Sequence, residues 1–213
     1  DVSPLSLVTE VADGSTSVII PRNTAIPVKR SETYSTVHDN QTGVNVSVVQ
    51  GERKMADDNA QLGSFLLNGI PPAPRGVPQI EITYEIDADG ILNVTAKELS
   101  TGINQSIIIN ATMKMSDSEI ERAIEEANEY AEADERKYRL AQLRNEADSA
   151  IYAAEKFIFD PEFRDEIAPS DIEKIETLIG ELKQAVAMED VVQITVKTKE
   201  LNSATTEIGA SFY

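Results

Sequence analysis

The chain has 213 residues, a formal net charge of -18 and no cysteine. The negative charge opposes binding to the anionic surfaces of nucleic acids and membranes. The lack of cysteine excludes disulfide frameworks and thiolate catalysis and favours a reducing compartment. The hydrophobic content of 41% is enough for buried cores, and no apolar run approaches the ~20 residues of a membrane-spanning helix.

The first half of the sequence predicts short β-strands separated by turns. Val44, Val46 and Val48 alternate with polar residues, which is the pattern of a half-buried strand. The stretch 69–78 is rich in proline and therefore predicts a connection, because proline lacks the N–H that a central strand donates. About seven or eight strands are expected in all. Besides the one around Val46, they are placed at 5–11, 15–21, 29–37, 80–86, 91–98 and 103–111.

The second half predicts helices. Ser116 and Glu119 have the spacing of a capping box, and the helix that follows should run to Phe159 with a bend or break at an undetermined place. Pro161 and Pro169 are stop signals, and Ser170 is a candidate N-cap for the next helix. The final segment, 191–208, is ambiguous. Its first six residues resemble a strand, whereas its longer spacing favours a third helix of a bundle.

These patterns predict a β + α multidomain fold. An antiparallel β-sandwich should occupy residues 1–115, and an α-helical lid with a small helical bundle should occupy residues 116–213. Since the chain starts at Asp1 without an initiator Met, we expect it to be a piece of a longer protein.

Motifs for chemistry are nearly absent from the sequence. His38 is the only histidine and lies in a polar turn, where a surface role is expected. Asp87 and Asp89 resemble the start of a calcium loop, but the further ligands are missing and hairpin turns favour Asp-Gly for backbone reasons alone. The sequence therefore predicts neither a catalytic residue nor a metal site, and we expect the chain not to be an enzyme.

Several strings, in order along the first half, resemble the substrate-binding domain of the DnaK-type seventy-kilodalton heat-shock chaperones. They are Asp1–Leu7, Arg22–Pro27, Asp39–Gln41, Gln50–Arg53, Pro72–Glu81 and Ile86–Val94, with a looser match at Ala131–Asp134. The resemblance covers essentially the whole chain and is that of a bacterial or organellar member.

The resemblance implies a chaperone fragment that binds short extended hydrophobic segments of unfolded proteins in a sandwich groove closed by the helical lid. ATP and Mg would act allosterically from an N-terminal ATPase domain absent from this chain, so the full-length protein would be an ATPase and this chain would hold no cofactor. Implied partners are unfolded polypeptides and hydrophobic peptides, the protein's own ATPase domain, a J-domain co-chaperone and a GrpE-type nucleotide exchange factor. Self-association through the groove, a role in the stress response, and a bacterial cytoplasmic, chloroplast stromal or mitochondrial matrix location are also expected.

The peptide-binding residues implied by the resemblance surround a pocket centred on Val44. Ser35, Val37 and Gly43 would supply main-chain hydrogen bonds to the peptide. An arch over it would come from Ala12 and Val37, whose sizes are reversed relative to the best-known bacterial form, so altered peptide preferences are expected. The remaining members of the set are Thr9, Val11, Tyr34, Thr36, Gln41, Val46 and Ile80.

The resemblance also implies two further groups of residues. The lid latch would join Arg75 to Asp134 and Asp39 to Tyr152, where Tyr152 replaces the usual histidine. The face toward the ATPase domain would include Arg22, Asn23, Pro27 and Asp89. Two rival functions are a non-chaperone structural or adhesive module, which would fail to bind unfolded peptides, and an enzyme of scattered carboxylates, which would turn over a substrate.

Overall fold

A computed structural model of the chain describes residues 1–110 and 115–212. These residues contain eight β-strands, four α-helices and a short 3-10 turn at Ala56–Asp58. The strands are β1 (Leu7–Glu10), β2 (Thr16–Ile20), β3 (Val28–Tyr34), β4 (Gly43–Gln50), β5 (Ala60–Asn68), β6 (Ile80–Ile86), β7 (Leu92–Glu98) and β8 (Asn104–Ile109). The helices are α1 (Asp117–Glu129), α2 (Ala131–Phe159), α3 (Pro169–Ala187) and α4 (Val191–Ala210).

The strands form two antiparallel four-stranded sheets, with the orders β2-β1-β4-β5 and β3-β6-β7-β8. Alternate residues of both sheets enter one hydrophobic core, as the period-two pattern requires. Tyr84 on β6 is fully buried, and its hydroxyl donates a hydrogen bond of 2.9 Å to the Val8 carbonyl on β1, in the other sheet. Burial raises the pKa of Tyr84, so this donor keeps its proton.

Most predicted strands are confirmed with shifted ends, but β5 was not predicted. That strand mixes half-buried and exposed residues without a regular period over its first half, and only Leu67 is fully buried, so its hydrophobic pattern is weak. Gly63 lets it approach β8 closely, since a Cβ there would lie 3.0 Å from Ile107 Cδ1. The predicted end of the last strand at residue 111 lies outside the described residues.

The predicted helix from 116 to 159 is broken at Tyr130, between α1 and α2. The capping box is confirmed, because Ser116 accepts from the Glu119 N–H and the Glu119 carboxylate accepts from the Ser116 N–H. The helix after the proline stop begins at Pro169 with Ala168 as its N-cap, so the expectation of Ser170 as the cap is wrong. The final segment is helical from Val191 to Ala210, which resolves the ambiguity in favour of a helix.

The predicted fold class, a sandwich followed from residue 116 by one helical lid, is wrong in how it divides the chain. The structure forms two compact units, Asp1–Glu135 and Arg136–Tyr213. Residues 117–135, which comprise α1 and the start of α2, therefore belong with the sheets, and the helices do not make one appended lid. These residues stay with the sheets because buried Asp134 is bound to Arg53, which follows β4.

The second unit has a core of its own. Helices α3 and α4 bury Ile175, Leu182, Ile194 and Leu201 completely, together with Ala154 of α2. The three-four spacing of these side chains along each helix gives one apolar face per helix. Within residues 1–110 and 115–212, no helix has the length and apolar character needed to cross a membrane.

Candidate functional site

The antiparallel registers place the connecting loops at two opposite ends of the sheet unit. Tyr34 pairs with Ile80 at one end of the β3–β6 pair, and Val28 pairs with Ile86 at the other. We call the first the arch end, formed by segments 11–15, 35–42, 69–79 and 99–103, and the second the base end, formed by segments 21–27 and 87–91. Segment 51–59 leaves β4 near the base end but returns to the first hairpin, where Lys54–Ala56 pair with Gly14–Thr16. The predicted peptide-binding loops meet at the arch end.

The apolar core is incompletely covered at the arch end. Burial rises along β4, from half-buried Gly43 and Val44 to fully buried residues from Val46 onward. Val44 and Tyr34 are partly exposed and pack against the buried core cluster. Val37 in the neighbouring loop is 39% exposed, and Ala12 is exposed as well. This end therefore offers small apolar surface beside loop backbone.

Some of the residues predicted to surround the pocket are instead buried in the core. Thr9, Val46 and Ile80 are each at most 1% exposed. The Thr9 hydroxyl donates 3.0 Å to the Ser47 carbonyl, inside the first sheet. These three residues support the site from beneath and leave Val11, Tyr34 and Val44 as the accessible members. Tyr34 is held by a 2.7 Å hydrogen bond between its hydroxyl and Ser17.

The side chain of Gln41 holds the loop 35–42 together by hydrogen bonds to main-chain groups. Its Oε1 accepts hydrogen bonds from the Val37 N–H at 3.0 Å and the His38 N–H at 3.2 Å. Its Nε2 donates to the Gly43 carbonyl at 2.8 Å. Gln41 therefore engages the Val37 N–H and the Gly43 carbonyl, and the expectation that residues near Ser35, Val37 and Gly43 supply main-chain hydrogen bonds to a peptide stays a prediction.

The Pro-rich segment 69–79 braces the same loop from outside. At least six hydrogen bonds between described atoms join the two segments. Ser35 Oγ donates to the Pro78 carbonyl at 2.5 Å, Gly76 N–H to the Thr36 carbonyl at 3.1 Å, Asn40 N–H to the Ala73 carbonyl at 2.8 Å, and Arg75 N–H to Asp39 Oδ1 at 2.9 Å. At the end of the loop, the N–H groups of Gly69 and Ile70 both donate to the Thr42 carbonyl at 3.0 Å. Asn40 has a φ of 56°, a left-handed conformation that asparagine tolerates better than most residues. The buried Thr36 hydroxyl has no hydrogen-bond partner, which is costly below a braced loop.

The predicted latch pairs, Arg75 with Asp134 and Asp39 with Tyr152, stay predictions, but some contacts of these residues are clear. Asp134 makes a two-pronged ion pair with Arg53, at 2.5 Å to Nε and 2.9 Å to Nη2, a partner that the sequence analysis did not predict. Asp39 accepts from the backbone N–H of Arg75 within the sheet unit. Tyr152 lies on α2 in the second unit, and its predicted latch to Asp39 stays a prediction.

The residues predicted to face an ATPase domain gather at the base end. Arg22, Asn23 and Pro27 are exposed in the segment between β2 and β3, and Asp89 is exposed in the β6–β7 turn. Asp87 Oδ1 accepts from the N–H groups of Asp89 and Ile91, both at 2.9 Å, so this acidic turn serves its own backbone. Their predicted role in an interface stays a prediction.

A cavity of about 340 Å³ lies beside segment 51–59, between loops of the sheet unit and the first helices. Its wall includes Arg22, Glu52 and Lys54 from these loops and Ile124 and Ala127 from α1. Glu52 accepts from both the N–H and the hydroxyl of Ser6, so its carboxylate is already engaged. Arg53, which lies next to this wall, stacks its guanidinium 4.6 Å from the Tyr130 ring centre.

Two structurally important groups escaped the sequence analysis, Arg53 and Glu98. The Arg53–Asp134 ion pair spans 81 residues of sequence, so no local pattern reveals it. Hydrogen bonding to Asp134 raises the pKa of Arg53. Hydrogen bonds, first from the Thr101 side chain and then from Ser100, hold the pKa of Glu98 at about 2, against the opposing effect of its burial. The short spacing of Glu98, Ser100 and Thr101 is a signal that could have been read as a polar turn.

Comparison with known proteins defines the class to which this fold belongs. The family model described as Hsp70 protein matches residues 1–213. The chain belongs to the HSP70 family, so the predicted chaperone family is confirmed at that level.

Among curated proteins, the chain is similar to the Chaperone protein DnaK of Methanothermobacter thermautotrophicus, with 50% identity over 212 residues. It is 44% identical over 213 residues to the DnaK proteins of Thermosipho melanesiensis and Thermosipho africanus. In each case the match takes in 100% of this chain and 35% of the relative. The chain thus spans about a third of the length of the curated relatives it matches.

Two functional predictions are corrected. A groove closed by a helical lid over 116–213 is not retained, because the helical region divides at Glu135 and its first part belongs to the sheet unit. The prediction that ATP and Mg act only from an ATPase domain absent from this chain is not retained either. The family match covers all 213 residues without dividing them, so it does not assign ATP binding to a part of the protein outside this chain.

Proposed function

We propose that this chain is a substrate-binding region of an HSP70 chaperone, in which the arch end of the sheet unit binds extended hydrophobic segments of unfolded polypeptides. The observation that carries the proposal is the grouping of accessible small apolar side chains at one end of the core, with Ala12 and Val37 in two loops and Val44 at the start of β4. Membership of a chaperone family supports the same reading.

The energetics suit such a ligand. Burying one leucine side chain of a polypeptide is worth roughly 1.5–3 kcal/mol. That is enough to select the aliphatic segments that folded proteins keep inside. The incomplete burial of Val44 gives such a side chain a place to contact the core. Exposed loop carbonyls and amides not bound by Gln41 would bind the peptide backbone, which is common to every sequence.

The test is fluorescence anisotropy of a labelled leucine-rich heptapeptide titrated with the chain and with Val44→Phe. We expect micromolar or tighter binding by the unmodified chain. The larger ring fills the space beside Val44, so Val44→Phe should weaken binding by at least about tenfold, which corresponds to the loss of about one buried aliphatic contact.

Val18→Phe is the matched control, since Val18 is a β2 residue that is 50% exposed and lies outside the arch end. It should bind the peptide as the unmodified chain does. Equal weakening by both substitutions, with unchanged unfolding midpoints, would place the ligand elsewhere. Absence of binding by the unmodified chain would contradict the proposed function itself.

For the whole protein, we propose the wider activity of its family. That activity is an ATP-dependent chaperone cycle with unfolded clients, a J-domain co-chaperone and a GrpE-type exchange factor. We also propose a bacterial cytoplasmic or organellar location, which the lack of cysteine supports. Peptide-stimulated ATP hydrolysis by the full-length protein is the measurement that tests this cycle.

A further inference from the structure

We infer that Gln41 is a positioning residue, whose side chain holds the loop 35–42 in the conformation that receives a polypeptide. The inference rests on the proposed function and deepens it. Gln41 is half-buried, and each polar atom of its carboxamide has a main-chain partner in the same loop or in the first residue of β4. One side chain therefore fixes both sides of a loop that carries exposed Val37 at its tip.

The geometry explains why a side chain is needed there. Val37 and His38 both direct their N–H groups to Gln41 Oε1, so they form no ladder with a strand. The loop follows β3 at Tyr34 and precedes β4 at Gly43, which belong to different sheets, so neither sheet extends through it. Without the Gln41 carboxamide, the tip of the loop keeps only the outer contacts to segment 69–79.

The consequence for binding is kinetic. A loop that is already ordered loses little conformational entropy when a ligand arrives, so pre-organisation favours association. Loss of the Gln41 hydrogen bonds should increase the number of conformations that the loop adopts in the free protein. The fraction of molecules that is competent to bind a peptide should then fall. A residue that only touched the ligand would instead act mainly on dissociation.

The experiment compares Gln41→Met with Gln61→Met. Methionine keeps the length of glutamine and removes its amide. Gln61 is a matched control because its Nε2 donates to the Gly63 carbonyl two residues on, at 3.0 Å, as Gln41 donates to Gly43. Gln61 lies on β5 and accepts no hydrogen bond from the loop at the arch end.

The first readout is amide hydrogen exchange in the absence of peptide. We expect the Val37 and His38 amides to exchange about tenfold faster in Gln41→Met, because each loses its acceptor, and to be unchanged in Gln61→Met. Unchanged exchange in Gln41→Met would overturn the inference. This readout does not depend on peptide binding, so it stands or falls separately from the proposed function.

The second readout is the rate of peptide association and dissociation by stopped-flow fluorescence. Gln41→Met should lower the association rate constant by about threefold or more and change dissociation less, as expected when fewer molecules are competent. Association equal to that of Gln61→Met, or a change confined to dissociation, would contradict the positioning role. If Gln41→Met proves unstable, Gln41→Ala is measured under the same criteria.

Discussion

Individual polar side chains do at the arch end what regular secondary structure does elsewhere. Gln41 binds three backbone groups, and Glu98 accepts hydrogen bonds from both the backbone and the hydroxyls of Ser100 and Thr101. Glu98 is only 2% exposed, so its charge is stabilised by these donors rather than by water. The turn after β7 is therefore built around one carboxylate.

Glu98→Gln tests this turn through its pH dependence. The pKa of Glu98 is about 2 in the folded chain, below the ordinary value of 4.5, so the folded state favours the ionised form. Its contribution to stability should be complete above pH 4.5 and be lost as the pH falls toward 2. Urea unfolding should show Glu98→Gln less stable than the unmodified chain by about 1–3 kcal/mol at pH 7, a gap that narrows below pH 4.5.

Glu85→Gln provides the control for that measurement. Glu85 makes a 3.4 Å ion pair with Lys29, and both side chains are at least 50% exposed. Glu85→Gln should therefore change the free energy of unfolding by less than about 1 kcal/mol, both at pH 7 and at pH 3. A gap between Glu98→Gln and the unmodified chain that stays constant from pH 7 to 3 would contradict the role assigned to the Glu98 charge.

The sequence identified many residues of the candidate site but few of their partners. Val37, Val44 and Gln41 were all placed in the site by resemblance to a family, and the structure brings their segments to one end. The contact of Asp39 with Arg75 joins residues 36 apart, and that of Arg53 with Asp134 joins residues 81 apart. Such contacts depend on the packing of distant elements, which no local spacing encodes.

At the scale of elements, the first helices are tied to the sheets by adjacent ion pairs of different character. Arg53 and Asp134 are 13% and 3% exposed in their side chains, whereas Lys54 and Glu135 are 45% and 59% exposed. A buried pair is costly to break because the remaining charge is left without a partner or water. The exposed pair loses little, since water replaces either member.

Arg53→Met and Lys54→Met therefore form a matched comparison. Arg53→Met leaves the Asp134 carboxylate buried and should cost about 3 kcal/mol or more, with faster hydrogen exchange in residues 117–135. Lys54→Met should cost less than about 1 kcal/mol and leave that exchange unchanged. Similar small effects of both substitutions would show that the buried ion pair does not hold these helices.

Elements with strong periodicity were predictable, and those shaped by tertiary contact were not. Helices α3 and α4 follow from apolar spacing, and the start of α1 follows from the Ser116 capping box. The strand β5 was not predicted because its burial depends on a tertiary contact, in which Gly63 lets the strand pack closely against Ile107 of β8. No proline or glycine lies at the break between α1 and α2 at Tyr130, so the local sequence gives no signal for it. The contacts found there are tertiary, because Arg53 stacks on the Tyr130 ring and pairs with Asp134.

At the scale of the whole molecule, most of the acidic side chains follow residue 115, on helices that belong partly to each of the two units. Lys197 on α4 binds two of them, and its ion pairs with Glu181 and Glu200 raise the pKa of its ammonium group to about 12. Each unit is stabilised by an apolar core of its own, built from two sheets in one and from helix faces in the other.

Two matched core truncations should separate the units. Leu92 lies at 0% exposure in the core of the sheet unit, and Leu182 lies at 0% exposure in the core of the helical unit. Leu92→Ala and Leu182→Ala each remove the same atoms and should each cost about 2–5 kcal/mol, because a buried cavity replaces the leucine. Since each core is built from its own residues, the loss should stay within one unit.

Hydrogen exchange followed by mass spectrometry resolves the two outcomes. Leu92→Ala should speed exchange in β6 and β7 and leave α3 and α4 as protected as before, and Leu182→Ala should do the reverse. Loss of protection in both units with either substitution would mean that the chain unfolds as one cooperative body. In that case α2, which runs unbroken from Ala131 to Phe159 through the division at Glu135, would be the element that couples them.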